Sequence, residues 1–265
     1  MAALLLANLA VLGMGEKAKE MPTADYLPEK ELVQGVLSEN AMEEAYPNLY
    51  AQGEIRKETL PEKVVFLTFD DGPSRNTVKI LDTLEKYNAK ATFFLIGENL
   101  TEDGVTIAKR ALEEGHMLGM HTETHRYEKI YRSVDSFLAD YDKLASRFVE
   151  VFGECPAVFR FPGGSYSSYI NPIRRSLQQE LERRGFLGYD WDVSGEDSVG
   201  TPTAESIMEN IFRDIGKREA PIVLLHDSPC SNLTAEVLPK ILERLSKEGY
   251  TFMTLEHREP YQFPW

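Results

Sequence analysis

Cysteine is nearly absent: Cys155 and Cys230 are the only two in 265 residues. Neither sits in a Cys-x-x-Cys pair, which excludes a disulfide framework, and both are expected to be unpaired packing residues. Basic residues are also short. Lys and Arg number 29 against 43 Asp and Glu, a formal net charge of -14. Such a surface disfavours nucleic acid, whose phosphates need cations, and electrostatic docking to anionic lipid. It suits a neutral substrate. No apolar run reaches the ~20 residues of a comfortable membrane span. The apolar stretch at the start, Ala2–Met14, also lacks the basic region that opens a secretory signal. It reads as the remnant of a signal or of a membrane tether, with a buried N-terminal helix as the competing reading. No internal repeat is visible.

What is present is a globular composition, 42% hydrophobic and 27% charged, which supports a packed core. Residues 1–62 read as the anchor or signal remnant followed by a Glu-, Lys- and Pro-rich linker, with a short helix at Glu29–Ser38. From residue 63 to 265 the pattern is regular. Strand-length apolar runs (Val64–Phe69, Ala91–Ile96, His116–Met120, Ala157–Phe161, Phe186–Trp191, Ile222–Leu225, Tyr250–Met253) alternate with helical stretches. The helices are Asn76–Tyr87, Thr101–Glu114, Val134–Phe152, Ile173–Arg184, Ala204–Ile215 and Ala235–Glu248. Alternation of this kind marks an α/β domain with parallel strands, and about seven units suit a distorted (β/α) barrel better than an open sheet. Cys155 and Cys230 flank strands at opposite barrel ends, too far apart for the ~7 Å between Cα atoms that a disulfide requires.

Polar residues gather where the strands end. The first strand runs into Asp70-Asp71-Gly72-Pro73, the third into His121-Thr122-Glu123-Thr124-His125, the fourth into Arg160-Phe161-Pro162-Gly163-Gly164-Ser165. The fifth runs into Asp190-Trp191-Asp192 and the sixth into His226-Asp227. Adjacent carboxylates at the end of an apolar strand are either a solvated Asp-Gly turn or two groups serving one site, one binding a metal and one acting as base. His121 and His125, at i and i+4, face the same way on a helical turn and can share an ion. With Asp71 they form a three-ligand set, which leaves an open position of the catalytic type. Two surface histidines are the plainer alternative. His116 and His257 lack such company and are read as structural.

Taken in order, Thr68–Pro73, His121-Thr122-x-x-His125, Arg160–Gly164, Asp190-Trp191 and Leu224-Leu225-His226 resemble the five motifs of the polysaccharide deacetylases, the NodB-homology domain of carbohydrate esterase family 4. The resemblance spans about Lys63–Met253. It implies a distorted (β/α) barrel and metal-dependent hydrolysis of N-acetyl groups on amino-sugar polymers. By position it implies Asp71, His121 and His125 as metal ligands, with zinc suited and cobalt, nickel or manganese able to substitute. Asp70 is then the base that deprotonates the attacking water, and Arg160 its ion-pair partner. His226 is the acid that protonates the leaving amine, and Asp190 the residue that orients His226, with Asp192 as the alternative. The Gly163 N–H stabilises the oxyanion, and Trp191 and Leu224 wall the acetyl-methyl pocket. The third motif, Phe-Pro-Gly-Gly-Ser, lacks the bulky aromatic that commonly follows its proline, and Tyr166 and Tyr169 are candidates to replace it. This form resembles Gram-positive cell-surface enzymes, which suggests peptidoglycan N-acetylglucosamine as substrate and an extracellular or cell-surface location. Chitin-type oligomers, other poly-N-acetylglucosamine and O-acetyl xylan are the alternative substrates. A non-catalytic carbohydrate-binding relative would be expected to have lost one of these groups.

Overall fold

A computed structural model of the chain describes residues 45–47, 49–51, 56 and 59–263. The expected helix at Glu29–Ser38 and the apolar stretch Ala2–Met14 lie outside the described residues. Among the described residues eight strands are ordered β1 (Val64–Gly72), β2 (Ala91–Leu95), β3 (Met117–Met120), β4 (Val158–Phe159), β5 (Leu187–Gly188), β6 (Val193–Ser194), β7 (Ile222–His226) and β8 (Thr251–Phe252). The helices are α1 (Arg75–Lys86), α2 (Glu102–Glu113), α3 (Tyr127–Ile130), α4 (Val134–Phe152), α5 (Arg174–Arg183), α6 (Ala204–Asp214) and α7 (Asn232–Lys247). The sheet order is β5-β4-β3-β2-β1-β7-β6, with β8 paired to the start of β1. Every pairing between these strands is parallel, so all strands end at one rim. The result is the expected distorted α/β barrel, curled with β5 and β6 at its edges.

The period of two along the strands builds both faces. On β1, Val65, Leu67 and Phe69 point outward into the large core shared with the helices. Val64 and Phe66 point inward with Phe94, Val158, Tyr189 and Ile222. The inward column then turns polar, to Thr68 and Asp70, both buried. Strand β1 lies in the middle of the sheet and sets Asp70 opposite His226 of β7 in register. Ser74 closes the rim turn by capping α1 in a reciprocal capping box with Thr77, satisfying donors that a helix start leaves unpaired.

Three details differ from the sequence reading. Of the run Phe186–Trp191 only Leu187–Gly188 is a named strand, β5, and a further short strand, β6, follows beyond the run at Val193–Ser194. Part of the presumed linker is docked: Leu49 is fully buried, and the buried Arg184 donates to the Tyr46 and Leu49 carbonyls. Cys230 is exposed and so is not a packing residue, whereas Cys155 is partly buried against Met120; both are free. Among the described residues no helix is long and apolar enough to cross a membrane.

Candidate active site

Asp71, His121 and His125 come together at the rim, with one potential ligand atom from each lying within 4.8 Å of the others. The Asp71 carboxylate Oδ1 stands 3.5 Å from His121 Nε2 and 3.3 Å from His125 Nε2. That oxygen is buried and has no hydrogen-bond partner among the described residues. A buried carboxylate oxygen is costly unless something satisfies it. A cation among these three groups would do so. His121 Nδ1 lies 2.9 Å from the Arg160 carbonyl, which fixes Nδ1–H toward the carbonyl and leaves the Nε2 lone pair inward, the arrangement a metal ligand requires. Burial, followed by the neighbouring His121, pushes His125 down to about 4, against the pull of Asp71 and Asp70. Its imidazole is therefore neutral and free to ligate near pH 7. The donor set, two imidazoles and one carboxylate, fits a divalent transition metal.

The two histidines do not sit on a helical turn as their spacing suggested. Residues 121–126 form a loop between β3 and α3. Thr122 and His125 adopt φ of 75° and 54°, left-handed values that no helix interior accepts. Asp140 of α4 holds this loop, accepting from the Glu123 and Thr124 amides and from the Thr124 hydroxyl.

Asp70 lies beside the triad, its Oδ2 3.8 Å from His121 Nε2. Burial alone would raise its carboxyl. The Arg160 charge, then His121 and His226, outweigh burial and hold it below the usual carboxylate range. Arg160 donates to Asp70 Oδ1 at 2.8 Å, to the Thr68 hydroxyl at 2.7 Å, and to the Tyr189 and Asp190 carbonyls. It also stacks 4.4 Å from the Phe94 ring centroid. Asp70 is thus an ionised carboxylate fixed in one orientation.

His226 is oriented by Asp197, not by Asp190. Its Nδ1 is 2.8 Å from Asp197 Oδ1, and its backbone N–H donates to Asp197 Oδ2 at 2.8 Å. Thr234 also donates to Oδ2. Burial would lower the imidazole, but the hydrogen bond and charge of Asp197, helped by Asp70 and Asp71, raise it to about 9. Its Nε2 faces Ser198 Oγ at 3.3 Å. Asp190 is committed elsewhere. Its carboxylate accepts from the Ser165 amide and hydroxyl and from the Phe263 amide, joining the loop after β4 to the C-terminal tail. The alternative Asp192 accepts from the Ile222 amide and does not serve His226 either. Asp197 went unnoticed in the sequence because it follows the two-residue β6, too short to show alternation. Its one signal is that it is an acid just beyond a rim strand.

The remaining residues singled out in the sequence are placed as follows. Gly163 is exposed, with φ 76°. Trp191 packs on Gly164, where a methyl would meet its ring at 2.8 Å, and edge-on against Phe263 at 5.1 Å. Leu224 is nearly buried on β7, in register with Thr68. Tyr166 is 61% exposed, with Arg174 over its ring. Tyr169 is similarly exposed and packs against Tyr127. His116 is buried, and its Nδ1 accepts from the Ala91 amide, a structural role.

Comparisons with known proteins bear on the family of the chain. The family described as polysaccharide deacetylase matches residues 57–181. The chain is 32% identical to the putative polysaccharide deacetylase YheN of Bacillus subtilis over 79% of its length and 73% of the relative's. It is 34% identical to a peptidoglycan-N-acetylglucosamine deacetylase of Bacillus cereus over 76% of its length and 90% of the relative's. Its fold superposes on the catalytic domain of peptidoglycan N-acetylglucosamine deacetylase from Eubacterium rectale with a TM-score of 0.73 at 30% identity, covering 81% of this chain and 97% of that one. The chain belongs to the polysaccharide deacetylase family.

Proposed function

We propose that the chain is a metal-dependent hydrolase that removes N-acetyl groups from an amino-sugar polymer, with peptidoglycan N-acetylglucosamine as its substrate. The observation that carries the reading is the orphaned, buried Asp71 Oδ1 facing two histidine nitrogens, beside a second, separately paired carboxylate. Asp71, His121 and His125 would hold the ion, and zinc suits the set best. A bound divalent ion would supply Lewis-acid activation of the amide carbonyl and of water.

The protein groups divide the proton work. Asp70, kept ionised by Arg160, accepts a proton from the attacking water as its oxygen adds to the carbonyl carbon. The Gly163 N–H donates to the carbonyl oxygen as it gains charge. His226, kept protonated by Asp197, gives a proton to the nitrogen as the C–N bond breaks, so the products are acetate and a free amine. Base and acid come from adjacent strands and flank the scissile bond. Trp191 and Leu224 enclose the acetyl methyl, and Tyr166 offers an exposed ring to the sugar. Asp197 is a positioning residue that acts through His226.

The peptidoglycan reading rests on the names of the Bacillus and Eubacterium relatives. It goes with export to the cell surface, residues 63–265 as the catalytic unit, and residues 1–62 as a tether and linker. The test is acetate release, side by side, from N-acetylated peptidoglycan, chitin oligomers and acetylated xylan. Faster release from peptidoglycan is expected. Faster release from either of the others would replace the substrate.

A further inference from the structure

Tyr127 opens α3, two residues past His125, and takes no part in the scheme above. Its ring packs edge-on against the His125 imidazole, with centroids 5.3 Å apart at 82°. Its hydroxyl abuts the loop after β4. A methyl placed on Gly163 would come within 3.0 Å of the hydroxyl oxygen and 3.1 Å of the adjoining ring carbon. So Gly163 lacks a side chain where Tyr127 stands, beyond what its left-handed φ of 76° already demands. The Tyr127 side chain therefore adjoins a candidate metal ligand through its ring and Gly163 through its hydroxyl.

Packing does not explain this hydroxyl. Tyr131, one turn on, donates to the Pro162 carbonyl at 2.8 Å and so anchors the same loop. Tyr127 forms no such bond among the described residues, and its ring is half-buried. A phenylalanine would fill the same space against His125 without leaving a polar group to satisfy. An acetyl oxygen drawn to the Gly163 N–H and to an ion on His125 would have this phenol, a neutral donor, as its neighbour.

We propose that the Tyr127 hydroxyl is a catalytic donor that hydrogen-bonds the acetyl oxygen as it becomes an oxyanion, alongside the Gly163 N–H. The proposal rests on the deacetylase reading above. It also accounts for the third motif, which lacks the aromatic after its proline: the ring in that space enters from α3.

The test is Tyr127→Phe beside wild type, both loaded with zinc, assayed on N-acetylglucosamine pentamer and on N-acetylated peptidoglycan, with zinc content measured on both proteins. Loss of one preorganised oxyanion donor lowers turnover by about 10²-fold. A fall in kcat of at least about tenfold, with KM within about threefold and zinc content unchanged, is expected. Three results would overturn the proposal: a kcat close to wild type, a raised KM at unchanged kcat, which makes Tyr127 a sugar contact, or loss of zinc, which makes it a prop for His125. An active wild type with any of these leaves the deacetylase reading standing. A wild type inactive on both substrates overturns both.

Discussion

Replacing Asp197 with asparagine tests how the acid is kept protonated. Asp197 is the hydrogen-bonded partner of His226 and its side chain is fully buried. With it, His226 is raised from 6.5 to about 9. Returning the imidazole to 6.5 removes a stabilisation of its charged form of roughly 3 kcal/mol. At pH 8 a group titrating at about 9 is roughly 90% protonated, and one at 6.5 roughly 3%. The protonation deficit alone should therefore cut kcat/KM about 30-fold at pH 8 and by less than about twofold at pH 6. The alkaline limb of the pH profile should move down by about 2.5 pH units. Because the folded-state value is raised, the ion pair stabilises the fold fully below about 6.5 and is lost as pH rises through about 9. Asparagine also cannot accept all three donors that Asp197 accepts, from His226 N–H, His226 Nδ1 and Thr234. A stability loss of ~1–3 kcal/mol should accompany the kinetic change, read by urea unfolding at pH 6. A loss of activity equal at every pH, or an unmoved alkaline limb, would refute the assignment of Asp197 to this role.

Other substitutions separate the remaining parts. Asp70→Asn should lower acetate release by at least about 10²-fold while zinc content stays at the wild-type level; loss of zinc would mean that the division of labour within the Asp pair is wrong. Asp71→Ala should leave the purified protein unable to retain zinc through dialysis, and acetate release should be lost with the zinc. Asp190→Ala leaves the Ser165 and Phe263 donors without their acceptor and should cost ~2–4 kcal/mol of stability. It should leave the alkaline limb where it is, which distinguishes it from Asp197→Asn. Gly163→Ala places a methyl against Tyr127 in a left-handed conformation. It should cost about 1–2 kcal/mol in strain by urea unfolding and lower kcat more than it raises KM.

The sequence made the rim residues visible because their chemistry is tied to strand ends. Asp70, Asp71, Arg160 and His226 each follow an apolar run whose alternation and length announce a strand, and parallel strands deliver their C-terminal ends to one place. What stayed hidden was decided by loops. The i, i+4 spacing of His121 and His125 reads as helix, yet the backbone reaches the same convergence through two left-handed residues pinned by Asp140. Asp190 stands next to Trp191 and invited pairing with His226. Only the path of the chain past the two-residue β6 reveals that Asp197 returns to that histidine while Asp190 ties down Ser165 and the tail. Tyr127 was overlooked for a similar reason, since a four-residue helix leaves no periodic trace.

The most direct measurement is acetate release by one preparation assayed as purified, after chelation and dialysis, and after zinc is restored. Release that stops on chelation and returns with zinc is the expected result. Undiminished release from protein shown to be free of metal would contradict the role proposed for Asp71, His121 and His125.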